Sequence, residues 1–380
     1  MKKISTAIFM SIFSLSILSA EDTPTITISK GDRINISVTT LNGGEGAAVT
    51  KTLQHDLELS GYFIISANAA YTVRGSASGG SLQGQVIDHS GGTVLSKSYN
   101  GGARETAHHF ADDIIETLTG NKGIAGSKIA FIGTRSGKKE VYVADFDGSN
   151  VRQMTHDGVI SVHPSISPDG RRVAYTGYQS GYPDVYVIDL TSGARNKIAN
   201  FPGTNSGASF SPDGGRIALS VSKDGNPELY TISANGGGAR RLTHTHGVES
   251  GPTWSPSGDE IIYSSDERGS PQLYRISSGG GSGQMLSTGH NYCTEPSWSP
   301  DGKKIAFNVR GGGEFQIAIL DLSGGGTRVL SSGENPAWGP DSRHIIFAQG
   351  GALYMLDTVT ARKSEILSGV GKITEPSWSR

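Results

Sequence analysis

Hydrophobic positions follow two different rhythms along this chain. From Lys128 onward, short runs such as Ile129-Ala-Phe131, Val173-Ala-Tyr175, Ile217-Ala-Leu219, Ile261-Ile-Tyr263, Ile305-Ala-Phe307 and Ile345-Ile-Phe347 recur between Pro- and Gly-rich turns. Apolar runs of this length, bounded by turn residues, read as strands. Five of them follow copies of one motif: Pro164-Ser-Ile-Ser-Pro-Asp-Gly170, Ala208-Ser-Phe-Ser-Pro-Asp-Gly214, Pro252-Thr-Trp-Ser-Pro-Ser-Gly258, Pro296-Ser-Trp-Ser-Pro-Asp-Gly302 and Pro336-Ala-Trp-Gly-Pro-Asp-Ser342. A partial sixth copy, Pro376-Ser-Trp-Ser379, closes the sequence. The turn prolines Pro168, Pro212, Pro256, Pro300 and Pro340 are spaced by 44, 44, 44 and 40 residues. A repeat near this length in a strand-rich chain predicts a β-propeller, one four-stranded blade per repeat.

One repeat shows how the blade is written. Ser165–Ser167 is a short strand, and Ser167-Pro-Asp-Gly170 places each residue where a type I turn prefers it. Arg172–Thr176, Asp184–Ile188 and Arg195–Ile198 supply three more strands. Third strands carry Tyr142, Tyr186, Tyr230 and Tyr274 at steps of 44; Ala318 interrupts the series and Tyr354 restores it. These aromatic positions are expected to pack between blades. The first blade starts at its second strand, near Lys128, while a lone first strand ends the chain. Pairing the two would close a ring of six blades over residues 128–380.

Residues 21–122 have a mixed pattern. Ile26–Ile28 and Ile34–Val38 alternate as strands, Ala47–Leu59 reads as a helix stopped by Gly61, and Tyr62–Ile65 as a strand. Tyr71–Ser98 reads as hairpins turning at Gly79-Gly80 and Gly91-Gly92. Ala107, Phe110, Ala111, Ile114, Ile115 and Leu118 then fall at i, i+3, i+4, i+7, i+8 and i+11, an amphipathic helix ended by Gly120. The expected fold is a small α/β N-terminal domain, a linker at 121–127, and an all-β six-bladed propeller of WD40-like (PD40) repeats. Lys2-Lys3, the apolar run Ile4–Leu18 and the small pair Ser19-Ala20 read as a cleaved secretory signal over residues 1–20. No later run has the ~18 apolar residues of a membrane-spanning helix.

Composition narrows the function. A net charge of −2 gives no basis for nucleic acid as a partner. With Cys293 as the single cysteine, no internal disulfide can form. The 54 glycines are about twice the usual share, as many tight strand reversals require. No Gly-x-Ser-x-Gly elbow, His-Glu-x-x-His or Cys-x-x-Cys occurs, and Gly311-Gly312-Gly313 lacks the Lys-Ser/Thr of a phosphate loop. No catalytic residue, cofactor or resident metal is expected.

Polar residues at one repeat position are the candidate site. His163, Glu295, Asn335 and Glu375 each come immediately before the proline of a first strand, the strand nearest the propeller axis. In a closed ring they would surround one mouth of the channel. His156, His244, His246 and His290 lie in the connections on the same face. Such a collar can dock a partner, hold a weak cation, or simply be solvated.

The Pro-x-Trp-Ser-Pro-Asp-Gly repeats, the helix Ala111-Asp-Asp-Ile-Ile-Glu-Thr-Leu-Thr-Gly120 running into Lys128-Ile-Ala-Phe131, and the segment Asp56-Leu-Glu-Leu-Ser-Gly-Tyr-Phe63 together resemble the TolB family, the periplasmic propellers of the Tol–Pal system. The resemblance covers essentially the whole chain after residue 20. It implies a non-catalytic, monomeric periplasmic scaffold that supports outer-membrane integrity and invagination during division, and that some bacteriocins use for import. It implies a Pal-like lipoprotein over the channel mouth, at His163, Glu295, Asn335 and Glu375 with His156, His244 and His246 nearby. It also implies a TolA-like inner-membrane partner on the N-terminal segment, Thr25, Ile26, Thr27 and Ile28, by strand addition. The chain departs from the family in a shortened stretch between Ser66 and Tyr71 and a brief mature start. The other readings are a secreted propeller enzyme, such as a polysaccharide lyase or a peptidase-like propeller, with His, Arg and Tyr around the channel, or a propeller for another envelope partner.

Overall fold

A computed structural model of the chain describes residues 33–379. Residues 1–20 and the segment Thr25–Ile28 lie outside the described residues.

The N-terminal region is one mixed sheet backed by two helices. Strands β1 (Ile34–Val38), β2 (Phe63–Ile65), β3 (Tyr71–Ser78), β4 (Ser81–Asp88) and β5 (Thr93–Asn100) are ordered β2-β1-β3-β4-β5, with β1 parallel to both neighbours. Helices α1 (Gly46–Leu59) and α2 (Ala103–Thr119) pack on each other and on the sheet. The apolar stripe of α2 is buried through Ala107, Phe110, Ala111, Ile114 and Ile115. The helix stops at Gly120, which takes a left-handed φ of 68° that a side chain would resist.

Six four-stranded sheets follow, each antiparallel between neighbours. The innermost strands are Ser161–Ile166, Asn205–Phe210, Glu249–Trp254, Cys293–Trp298, Glu334–Trp338 and Thr374–Trp378. The last of these pairs with Lys128–Gly133, Trp378 opposite Ile129 and Ser377 opposite Ala130. Residues from the two ends of the ring thus share one sheet. The tyrosines of the third strands stack on second-strand rings of their own blade: Phe131 on Tyr142, Tyr175 on Tyr186, Tyr263 on Tyr274 and Phe347 on Tyr354, with centroids 5.6–6.0 Å apart. Ala318 lies opposite Phe307 and Tyr230 opposite Leu219, so those two blades have one ring at this position where the other four have two.

Turn chemistry joins the blades at one end of the ring. In the Ser-Pro-Asp-Gly turn, Gly170 N donates to Ser167 O at 2.9 Å and Arg171 N to Asp169 Oδ1 at 3.1 Å. Arg172 reaches over the Phe210 ring to Gly214 O, and Arg216 over Trp254 to Gly258 O. Nearer the axis, inner-strand hydroxyls accept backbone N–H groups of the next blade: Ser377 from Ile166, Ser165 from Phe210, Thr253 from Trp298 and Ser297 from Trp338. Position 337 is alanine, so the junction to Trp378 lacks this bond. Ala337→Ser is expected to add it and raise stability by about 0.5–1.5 kcal/mol in chemical denaturation.

The N-terminal region sits on the turn end of the ring, at the seam between first and last blades. Arg343 of the last blade pairs with Asp357 at 2.6 Å, donates to Gly61 O at 3.1 Å and lies 4.2 Å over the Tyr62 ring. Arg104 of α2 reaches Asp145 and Asp147 of the first blade. His108 of α2 meets Phe146 edge-on, and one apolar cluster runs from Phe110 and Ile114 to Phe146 and Trp378. Among the described residues, none of the N-terminal region covers the opposite end of the channel, where the inner strands begin.

Candidate functional site at the channel mouth

Every inner strand contains the same irregularity near its start. The pairing with the second strand slips at residues 163–164, 207–208, 251–252, 295–296, 335–336 and 375–376. The first residue of each pair has a left-handed backbone: His163 (φ 51°), Gly207 (66°), Gly251 (58°), Glu295 (50°), Asn335 (56°) and Glu375 (55°). This region costs a non-glycine residue about 1–2 kcal/mol. Such a bulge re-aims the side chain that it carries. Here four of the six positions keep a polar side chain despite that cost.

These six residues line one cavity of about 190 Å³ together with the prolines behind them and a wall of serines. Glu375 is the most connected member. One carboxylate oxygen accepts from the His163 backbone N–H at 2.6 Å, and the other lies 3.4 Å from Lys139 Nζ. The Asn335 N–H donates to Asn308 Oδ1 at 3.1 Å. Glu295 makes no such contact; desolvation pushes its carboxyl above the usual range, Glu375 adds to this and His163 opposes it. Gly207 and Gly251 leave the opposite side of the mouth bare. The collar is therefore one-sided: acids, an imidazole and an amide on four blades, backbone on two.

Position before the strand proline locates His163, Glu295, Asn335 and Glu375 together. His156, His244 and His246 are exposed and do not line the cavity. They follow the fourth, outermost strand directly, so they sit toward the rim rather than the axis. Gly207, Gly251 and the hydroxyl wall of Ser165, Ser209, Thr253, Ser297 and Ser377 are further members of the site. They occupy the same repeat offsets, so the motif itself marks them, but a search for reactive side chains passes over them. Among the described residues, no three His, Cys, Asp or Glu side chains converge as a metal-binding group.

Residues 115–380 match the model of the TolB beta propeller domain. The chain belongs to the TolB β-propeller family. It is 46% identical over 101 residues to the TolB homolog of Chlorobium chlorochromatii, a stretch covering 25% of this chain and 23% of that protein. It is 43% identical over 84 residues to the Tol-Pal system protein TolB of Geobacter sulfurreducens, covering 21% and 19% of the two chains. The aligned stretches thus span about a quarter of these relatives' lengths or less. The crystal structure of TolB from Acinetobacter baumannii superposes with a TM-score of 0.82 at 26% identity, covering 93% of this chain and 98% of that one. Among the described residues no helix is long and apolar enough to cross a membrane.

Proposed function

We propose that this TolB-family protein is a non-catalytic periplasmic scaffold of the Tol–Pal system. The observation that carries the reading is the TolB propeller match over residues 115–380, which brings with it the open, polar channel mouth. A Pal-like outer-membrane lipoprotein docks on that mouth, against His163, Glu295, Asn335 and Glu375. The loops bearing His156, His244 and His246 form the rim of the same face. A TolA-like inner-membrane protein takes the segment Thr25–Ile28 as an added strand. Joined in this way, the two membranes are held in register, which supports outer-membrane integrity and invagination during division. The described part of the N-terminal region sits at the other end of the ring, which supports the reading because it leaves the mouth free of these residues.

The test is capture. The tagged chain, used as bait in detergent-solubilised envelope extract, is expected to retain a Pal-like lipoprotein, and the purified pair is expected to bind directly. Failure of both, under conditions that retain other envelope complexes, contradicts the proposal.

A further inference from the structure

Two buried glutamates away from the channel form a separate device. Glu228 opens the third strand of its blade, Glu249 opens the inner strand of the next, and each is 0% exposed. The connection over residues 243–248, which carries His244 and His246, runs between them. Glu228 Oε1 accepts from the Arg241 guanidinium at 2.7 Å and from the Thr245 N–H at 2.8 Å. Glu249 Oε1 accepts from the hydroxyls of Thr245 and Ser265, both at 2.7 Å. Thr245 is therefore held by both carboxyl groups at once. The other two oxygens, Glu228 Oε2 and Glu249 Oε2, meet no donor, yet the two carboxyl groups are within hydrogen-bonding reach of each other. A proton between them supplies the missing donor.

Charge counting agrees. Arg241 also lies 3.5 Å from Asp224, which Lys223 pairs at 3.0 Å. Two cations thus serve Asp224 and Glu228, and none is left for Glu249. From the facing blade come Tyr263, Tyr274 and Glu267, with Arg268 acting on Tyr274, while Asp266 accepts from the Val248 N–H at 2.7 Å. His244 and His246 are exposed on the loop, and Tyr230 donates to Asp224. The neighbouring blades place the uncharged Ser161, Asn205 and Cys293 where this blade has Glu249, all of them buried.

We propose that Glu228 and Glu249 hold one proton between them and so latch the 243–248 loop onto the mouth face, and that loss of this proton loosens the loop. Two buried carboxylates in contact cannot both stay ionised at low energetic cost. Desolvation, with Glu228 adding to it, pushes the Glu249 carboxyl up to about 7. A folded-state value above the unfolded one means the latch stabilises fully below the unfolded value, near 4.5. Its contribution fades as pH rises toward 7 and levels off above that. The latch stands whether or not the docking reading holds.

The full-length chain provides the test, through amide exchange at Thr245 and Val248 corrected for the intrinsic rate. Protection at these sites is expected to fall at least tenfold between about pH 5 and about pH 8 in the wild type. In Glu249→Gln, whose amide can donate to Glu228 without titrating, it is expected to stay constant. The infrared absorption of buried protonated carboxyl groups at the lower pH should be weaker in the variant than in the wild type, by the share of one group, above what Asp56, Asp112 and Glu295 contribute to both. Glu228→Gln provides the second half of the comparison should Glu249→Gln fold poorly. Wild-type protection that does not change with pH, or the same change in the glutamine variants, overturns the latch. So does a melting temperature that responds to added calcium in the wild type alone, since a metal ion would then occupy the proton's place.

Discussion

Replacing Trp378 with alanine is expected to destabilise the protein by about 3–5 kcal/mol, the range for deleting a large buried aromatic side chain. Trp378 is only 5% exposed, belongs to the cluster shared with the N-terminal helices, and donates its indole N–H to Ser127 Oγ at 2.7 Å. Its strand does more than bury one ring. Ser379 and Lys128 exchange backbone and hydroxyl bonds at 2.9 Å, Ser377 accepts from Ile166 of the next blade, and Glu375 accepts from His163. Ending the chain at Gly371 removes all of these and exposes the edge of Lys128–Gly133, an unpaired strand that invites association. At roughly 2–4 °C per kcal/mol for domains of 150–250 residues, the alanine variant should melt on the order of 10 °C lower. The truncated chain should melt lower still or aggregate. An unchanged melting temperature in both would mean that the ring does not depend on this closure.

The second large effect is on docking and should leave stability alone. His163→Asn combined with Glu295→Gln is expected to weaken binding of a Pal-like lipoprotein at least tenfold, which is 1.4 kcal/mol or more. The two substitutions remove the imidazole and the unpaired carboxyl from the collar. Asparagine tolerates the left-handed backbone at position 163 better than most residues. The bond from residue 163 to Glu375 uses the backbone N–H, so it survives the change. Glutamine at position 295 also relieves the desolvation that raises the Glu295 carboxyl. The melting temperature should therefore stay at or slightly above the wild-type value. Wild-type affinity in the double variant would remove these side chains from the interface.

How much of this was legible in the sequence depends on range. Propeller blades are local: a Ser-Pro-Asp-Gly turn between two short strands carries its own backbone preferences. The spacing of Pro168, Pro212, Pro256 and Pro300 repeats that information. Four collar residues could be placed because they hold one offset before the strand proline. The bulge that aims them could not, since it exists only in the pairing of two strands. The rim position of His156, His244 and His246 depends on how far the loop travels from the outer strand, which hydrophobic pattern does not encode. Nor does it encode contacts such as Arg343 on Gly61, 282 residues apart, or two glutamates that meet only when neighbouring blades pack. Polar contacts between distant segments leave no period to read.

The measurement that tests the central claim most directly is an amide-exchange footprint of the complex with the soluble domain of a Pal-like lipoprotein. The account predicts new protection around residues 163, 295, 335 and 375 and in the surrounding loops, with none on α1 or α2. Protection confined to the N-terminal helices, or a complex that leaves the mouth unprotected, would contradict it.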